Sequence, residues 1–167
     1  DTDMAKKLSF QINSEIGKLK GVILHPPGPE VENMTPDNAQ RALYSDILNL
    51  SVATEEYTQF EKVLKKVTNV YYVKDLLAEV LVDDNVKMEL VEKVCKKDNV
   101  PELRNSLSEL SSQKLSQVLI EGFPLPLNLL SNFLSDERYA LQPLHNFFFT
   151  RDASFGLWNN AVISQMA

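Results

Sequence analysis

The segment with most chemical character in this 167-residue chain is His145-Asn146-Phe147-Phe148-Phe149-Thr150-Arg151-Asp152. A carboxylate at the end of an aromatic strand has the right character for holding a guanidinium group. Its two oxygens accept a pair of N–H bonds, while a neighbouring ring face covers the planar cation. The same residues also suit a structural ion pair between Asp152 and Arg151 or another base, and on residue types alone that plainer reading comes first. Other reactive groups are sparse. Cys95, the sole thiol, lies four residues after Val91 at the edge of an apolar helical stripe. It reads either as a nucleophile or as a small buried hydrophobe, and free cysteines more often are the latter. His25 and His145 are the only histidines, no pair of histidines or cysteines has metal-ligand spacing, and there is no glycine-rich phosphate loop. No metal site is expected.

Bulk properties remove other function classes. An apolar fraction of 44% and a charged fraction of 24% are those of an ordinary soluble globular protein. The net charge of −6 and pI near 5.0 give no basic face for a polyanion. Lys6-Lys7, Lys65-Lys66 and Lys96-Lys97 are short clusters balanced by nearby acids and read as solvated helix faces, so no nucleic-acid partner is expected. No stretch approaches the roughly 18 consecutive apolar residues of a membrane helix, and the first residues lack the apolar core of a signal peptide. One cysteine cannot form an intrachain disulfide. A cytoplasmic location is the expectation, although a processed exported protein would look the same.

The elements that must position these residues are legible from their periods. Lys18 to His25 reads as a strand, with Val22-Ile23-Leu24 at its centre and Pro26-Pro27-Gly28-Pro29 closing it. Thr35-Pro36-Asp37-Asn38 starts a short turn or helix. Phe60, Val63, Leu64 and Val67 form the apolar stripe of an amphipathic helix, with Glu55, Glu56, Lys62, Lys65 and Lys66 on its wet side. Asn69 ends that helix, and Val70 to Val73 is a second strand, expected to pair parallel with the first. From about Lys74 to Leu141 only helical periods are found. Val86, Leu90, Val91 and Val94 make one stripe, and Pro101 opens a helix that buries Leu103, Leu107 and Leu110. Ser111-Ser112 introduces Leu115, Val118 and Leu119, and a last helix carries Leu129, Leu130, Phe133 and Leu134. After Pro143 the chain returns to strand chemistry at Phe147 to Thr150. Phe155 to Trp158 and Ala161 to Met166 then read as a hairpin turning at Asn159-Asn160. This organisation predicts an α/β fold in three parts: 9–73 as a first α/β segment, 74–141 as a small helical bundle inserted into it, and 142–167 as a return to strands. A chain that stops on an unpartnered strand is expected to be truncated.

The block Phe149-Thr150-Arg151-Asp152, preceded by Asn146, resembles the FTRD block of the arginine deiminases, a family of the guanidino-group-modifying superfamily. Ser14-Glu15-Ile16-Gly17-Lys18-Leu19-Lys20, followed by Val22-Ile23-Leu24 and Pro27-Gly28, is similar to that family's first strand. Thr35-Pro36-Asp37-Asn38 resembles its next landmark, and Asp75-Leu76-Leu77-Ala78-Glu79 the segment leading into its helical insertion. The four landmarks occur in the family's order and span nearly the whole chain. Related amidine hydrolases and amidinotransferases share the propeller-like α/β core but typically lack the insertion.

The resemblance implies a partial α/β propeller of the guanidino-modifying type, carrying the helical bundle as an insertion. It implies L-arginine as substrate and hydrolysis to L-citrulline and ammonia, through thiolate attack on the guanidinium carbon and water activated by a histidine. It implies no cofactor and leaves homo-oligomerisation open. Asp152 corresponds to the carboxylate that holds the guanidinium, Asn146 to an asparagine at the substrate's amino-acid end, Phe149 to an aromatic lining the pocket and Leu43 to a residue near the pocket mouth. The family's nucleophile, acid/base histidine and second carboxylate lie beyond the end of this chain, and Cys95, within the insertion, does not replace that nucleophile. Ala153 stands where many relatives have proline, Asn160 where many have glycine, and His145 where proline is common beside Asn146. Two other readings remain open: a short homologue that binds arginine or a partner without catalysis, and a fragment of an amidinotransferase.

Overall fold

The computed structural model describes residues 11–14, 16–32, 48–125, 138–152 and 154–163. The Thr35–Asn38 landmark, Leu43 and the helix expected around Leu129–Leu134 lie outside the described residues. The β-branched pair Val22-Ile23 sits in β1 (Gly21–Leu24), and the prolines that follow end the strand. A single helical turn, α1 (Pro29–Glu32), starts on the last of them. Helix α2 (Leu50–Val67) is capped by Asn49, whose side chain accepts from the N–H groups of Ser51 and Val52, and Lys65 and Lys66 complement its C-terminal turn. The chain then enters β2 (Asn69–Tyr72), which pairs parallel with β1 from Gly21↔Asn69 to Leu24↔Tyr72. The expected strand–helix–strand unit is therefore present. The helix stripe differs from expectation, because Phe60, Val63 and Val67 are 52%, 60% and 61% exposed. Only part of the amphipathic face is covered by the described residues.

Four helices follow: α3 (Val73–Val80), α4 (Asp84–Lys97), α5 (Leu103–Ser108) and α6 (Ser112–Glu121). Asp83 caps α4 and Ser111 caps α6 through side-chain oxygens. Pro101 falls in the turn before α5 rather than at its first residue. The predicted stripes meet in one core of Leu81, Val91, Cys95, Leu107, Leu115, Val118, Leu119 and Leu141. Between α3 and α6, buried Ser116 donates to the Lys74 carbonyl at 2.7 Å, and Lys74 pairs with Glu121 at 2.6 Å.

Gly122 ends α6 with φ +89°, and a Cβ there would lie 2.9 Å from the Leu141 carbonyl oxygen. Glycine alone suits both the conformation and the space. The chain continues into β3 (Phe123–Pro124), paired antiparallel with β4 (Tyr139–Leu141). The expectation of helical periods throughout 74–141 thus fails at its C-terminal end. Gly122 and Pro124 stop helical continuation, and Tyr139-Ala140-Leu141 supplies a ladder partner.

The aromatic run is also not a strand. Phe147 donates to the Leu144 carbonyl, Phe149 to Asn146 and Asp152 to Phe149, so the segment is a series of tight turns. Three consecutive aromatics show no alternation to define a strand face, and local bonds satisfy the backbone instead. The final hairpin exists as β5 (Ser154–Leu157) and β6 (Asn160–Ile163), but Leu157 pairs with Asn160. Its turn is therefore Trp158-Asn159, one residue earlier than expected. Trp158 has φ +54° and exchanges two backbone bonds of 2.9 Å with Ile12, which hold it there. The architecture is mixed α/β, with a parallel strand pair followed along the chain by a helical block.

Candidate active site

Immediately after β1 the chain carries His25 into a proline-rich turn, and Glu30 folds back over it. Glu30 Oε1 accepts from the Gly28 N–H at 2.8 Å and faces His25 Nε2 at 3.0 Å. An ionised carboxylate can only accept, so Nε2 is the protonated ring nitrogen. Glu30 is 1% exposed and His25 4%. Burial alone would raise the Glu30 carboxyl, but the hydrogen bond from His25, the backbone N–H groups and the charge interaction with His25 together hold it below its ordinary value. Gly28 leaves room for this approach, since a Cβ there would stand 2.7 Å from Glu30 Oε2 and push the carboxylate aside.

The loop bearing the candidate substrate residues packs on this turn. Leu144 N–H donates to the Ile120 carbonyl at 2.9 Å, where the last turn of α6 has carbonyls to spare. His145 Nδ1 bonds the Glu30 carbonyl oxygen, which fixes the proton on Nδ1. The Phe147 ring meets His25 edge to face, with centroids 5.1 Å apart. Thr150 donates its hydroxyl to the Ile23 carbonyl in β1 at 3.2 Å. The loop from Leu144 to Thr150 is thereby fastened at the carboxyl end of β1.

On that loop Asn146 is half-buried, Phe149 is 48% exposed and stacks obliquely on Phe148 at 4.2 Å, and Asp152 is exposed. Backbone bonds of 3.0 Å from Phe149 to Asn146 and 3.3 Å from Asp152 to Phe149 link the three in successive turns. Leu43 lies outside the described residues. A depression of about 520 Å³ between Glu32 and Leu48–Ser51 includes none of the three. Cys95 lies in the helical core, where burial first, and then the Glu102 charge, push its thiol up and disfavour the thiolate. Among the described residues, no group of three or more His, Cys, Asp or Glu could hold a metal, and no helix is long and apolar enough to cross a membrane. Sequence reasoning missed His25, Glu30 and the tie made by His145. The available signal was an acid inside a proline-rich, otherwise apolar turn, five residues from a histidine.

Comparison with known proteins identifies the chain's sequence relatives. The family model described as arginine deiminase matches residues 40–167. The chain belongs to the arginine deiminase family. Curated arginine deiminases of Staphylococcus haemolyticus and Limosilactobacillus reuteri are each 32% identical to it over 171 aligned positions, covering 94% of this chain. That of Oenococcus oeni is 32% identical over 178 positions and covers 98%. The chain spans 41%, 42% and 43% of the length of these three arginine deiminases.

Proposed function

We propose that this chain is the N-terminal part of an arginine deiminase that hydrolyses L-arginine to L-citrulline and ammonia through a cysteine-bound intermediate. The observation that carries the reading is that the family match, 40–167, includes the whole loop bearing Asn146, Phe149 and Asp152. That loop lies outside the carboxyl end of a parallel strand, where open α/β sheets place their ligands. In this reading the parallel strands belong to one sector of an α/β propeller, with 74–141, helical as far as Glu121, as its insertion between segments 9–73 and 142–167.

The chemistry assigns each residue a task. A guanidinium is a poor electrophile because its charge is delocalised, so it must be fixed and polarised before a thiolate can attack its carbon. Asp152 accepts paired N–H bonds from it, the Phe149 ring covers its plane, Asn146 holds the amino-acid end and Leu43 closes the pocket mouth. In this reading Cys95, walled into the helical core, is not the nucleophile, and the nucleophile, the acid/base histidine and the second carboxylate belong to the rest of the protein. No cofactor takes part in this scheme.

The test is Asp152→Asn in the full-length protein, which keeps the side chain's size while removing its charge. Each charge-assisted bond lost is worth about 1.5–3 kcal/mol, so kcat/KM for arginine should fall by at least roughly tenfold with the melting temperature unchanged. Normal turnover with a lowered melting temperature would identify Asp152 as half of a structural ion pair. Citrulline release distinguishes a deiminase from an amidinotransferase, which needs an amine acceptor. Arginine binding without turnover would identify a non-catalytic homologue.

A further inference from the structure

We propose that Glu30 and His145 act together as a positioning device for the substrate loop. Glu30 anchors the turn after β1 and presents its carbonyl to His145, which holds Asn146, Phe149 and Asp152 in place. The inference rests on the reading of those three as substrate-binding residues. Its basis is geometric. Glu30 is the one buried carboxylate among the described residues, and a buried charge is kept only where it is paired and hydrogen-bonded. Its two side-chain bonds, to Gly28 N–H and His25 Nε2, both close the 25–30 turn. They fix the α1 backbone and hence the carbonyl that receives His145 across 115 residues of sequence. The His25 ring also meets Phe147 edge to face, so one side chain contacts the loop and holds Glu30 through Nε2.

Asn146 follows His145 directly, and turns closed by Phe149 and Asp152 N–H groups carry the constraint forward. Release of His145 would remove the side-chain tie to α1 and loosen the loop between the Leu144 bond to Ile120 and the Thr150 bond to Ile23. Neither Glu30 nor His145 is given contact with the substrate in this scheme. Each acts through the loop.

The test uses the full-length protein with the variants His145→Leu, His145→Asn and Glu30→Ala. His145→Leu removes the donor, while His145→Asn restores an amide N–H close to the position of Nδ1. Two readouts are taken: steady-state kinetics on arginine, and amide hydrogen exchange of residues 146–152. Losing one neutral bond should raise KM roughly 3- to 10-fold in His145→Leu, with faster exchange of the Phe147, Phe149 and Asp152 amides. His145→Asn should recover most of both effects, a rescue that a general packing role for His145 would not give. Glu30→Ala, where it folds, should reproduce the exchange change, and adding His145→Leu to it should change little more. Unchanged exchange in His145→Leu would overturn the proposal, as would faster exchange with unaltered KM and kcat in an active enzyme. If the wild-type protein does not turn over arginine, the deiminase reading fails by itself. The exchange data then still decide whether the two residues position the loop.

Discussion

Cys95→Ala separates a structural thiol from a nucleophile, and its cost can be worked from the packing. Cys95 is 4% exposed in a core that includes Val91, Leu107 and Leu115. Replacing it with alanine deletes one sulfur atom. Its transfer from water is worth about as much as a buried methylene, roughly 0.8 kcal/mol. If the walls do not relax, the vacated space of about 25 Å³ adds roughly 0.6 kcal/mol at 24 cal/mol per Å³. The sum, about 1–1.5 kcal/mol, corresponds to a melting shift of a few degrees in a protein of this size class. The assay is a melting curve and citrulline production on one preparation of the full-length protein. The expected result is a small loss of stability with kcat within about twofold of wild type. A loss of several orders of magnitude in kcat, with the melting temperature unmoved, would refute both the core assignment and the placement of the nucleophile outside this chain.

Two further outcomes follow from single residues. Gly122→Ala places a Cβ 2.9 Å from the Leu141 carbonyl oxygen at a residue with φ +89°, and should destabilise the fold by about 1–3 kcal/mol, read from a denaturation midpoint. An effect below about 0.5 kcal/mol would mean that the α6–β3 turn relaxes freely. Glu30→Gln should flatten the acid side of the stability curve. The folded carboxyl lies below its ordinary 4.5, so its contribution is complete above that value and is lost as pH falls through the lower folded one. Melting temperatures of both proteins between about pH 6 and 3 should converge toward the acid end, and parallel curves would contradict the assignment.

The legible parts of this chain are those whose signal is local and repeated. Val22-Ile23 and Val70-Tyr71-Tyr72 announce strands, and their parallel pairing follows from the helix between them. The stripes through Val91, Leu107, Leu115 and Leu119 announce the helical core, and they place Cys95 inside it. Boundaries set by a competing interaction were less legible. The hairpin turns at Trp158-Asn159 because Ile12 bonds Trp158 on both sides, and Ile12 is far away in sequence. Phe147-Phe148-Phe149 has strand composition, yet bonds to Leu144 and Asn146 close it into turns. The stripe of α2 is amphipathic, but amphipathicity states only that a face is apolar, not what covers it.

The candidate site shows the same division more sharply. Asp152 and the aromatic run before it carry chemical types that a sequence reading can find, because guanidinium recognition suits a carboxylate and an aromatic face, whereas Asn146 stands out only through the family resemblance. Among the groups that hold their loop are the carbonyls of Ile120, Glu30 and Ile23. A backbone acceptor is the same whatever side chain it bears, so no residue type advertises it. Only the donors leave a trace, and Thr150 and His145 are ordinary polar residues when read alone. His145 becomes informative only once its partner is in view, because a histidine fixes nothing locally and here it reaches the Glu30 carbonyl 115 residues away. In the proposed positioning scheme that contact depends on a second residue, since the Glu30 backbone is itself held where its buried side chain meets the Gly28 N–H and His25.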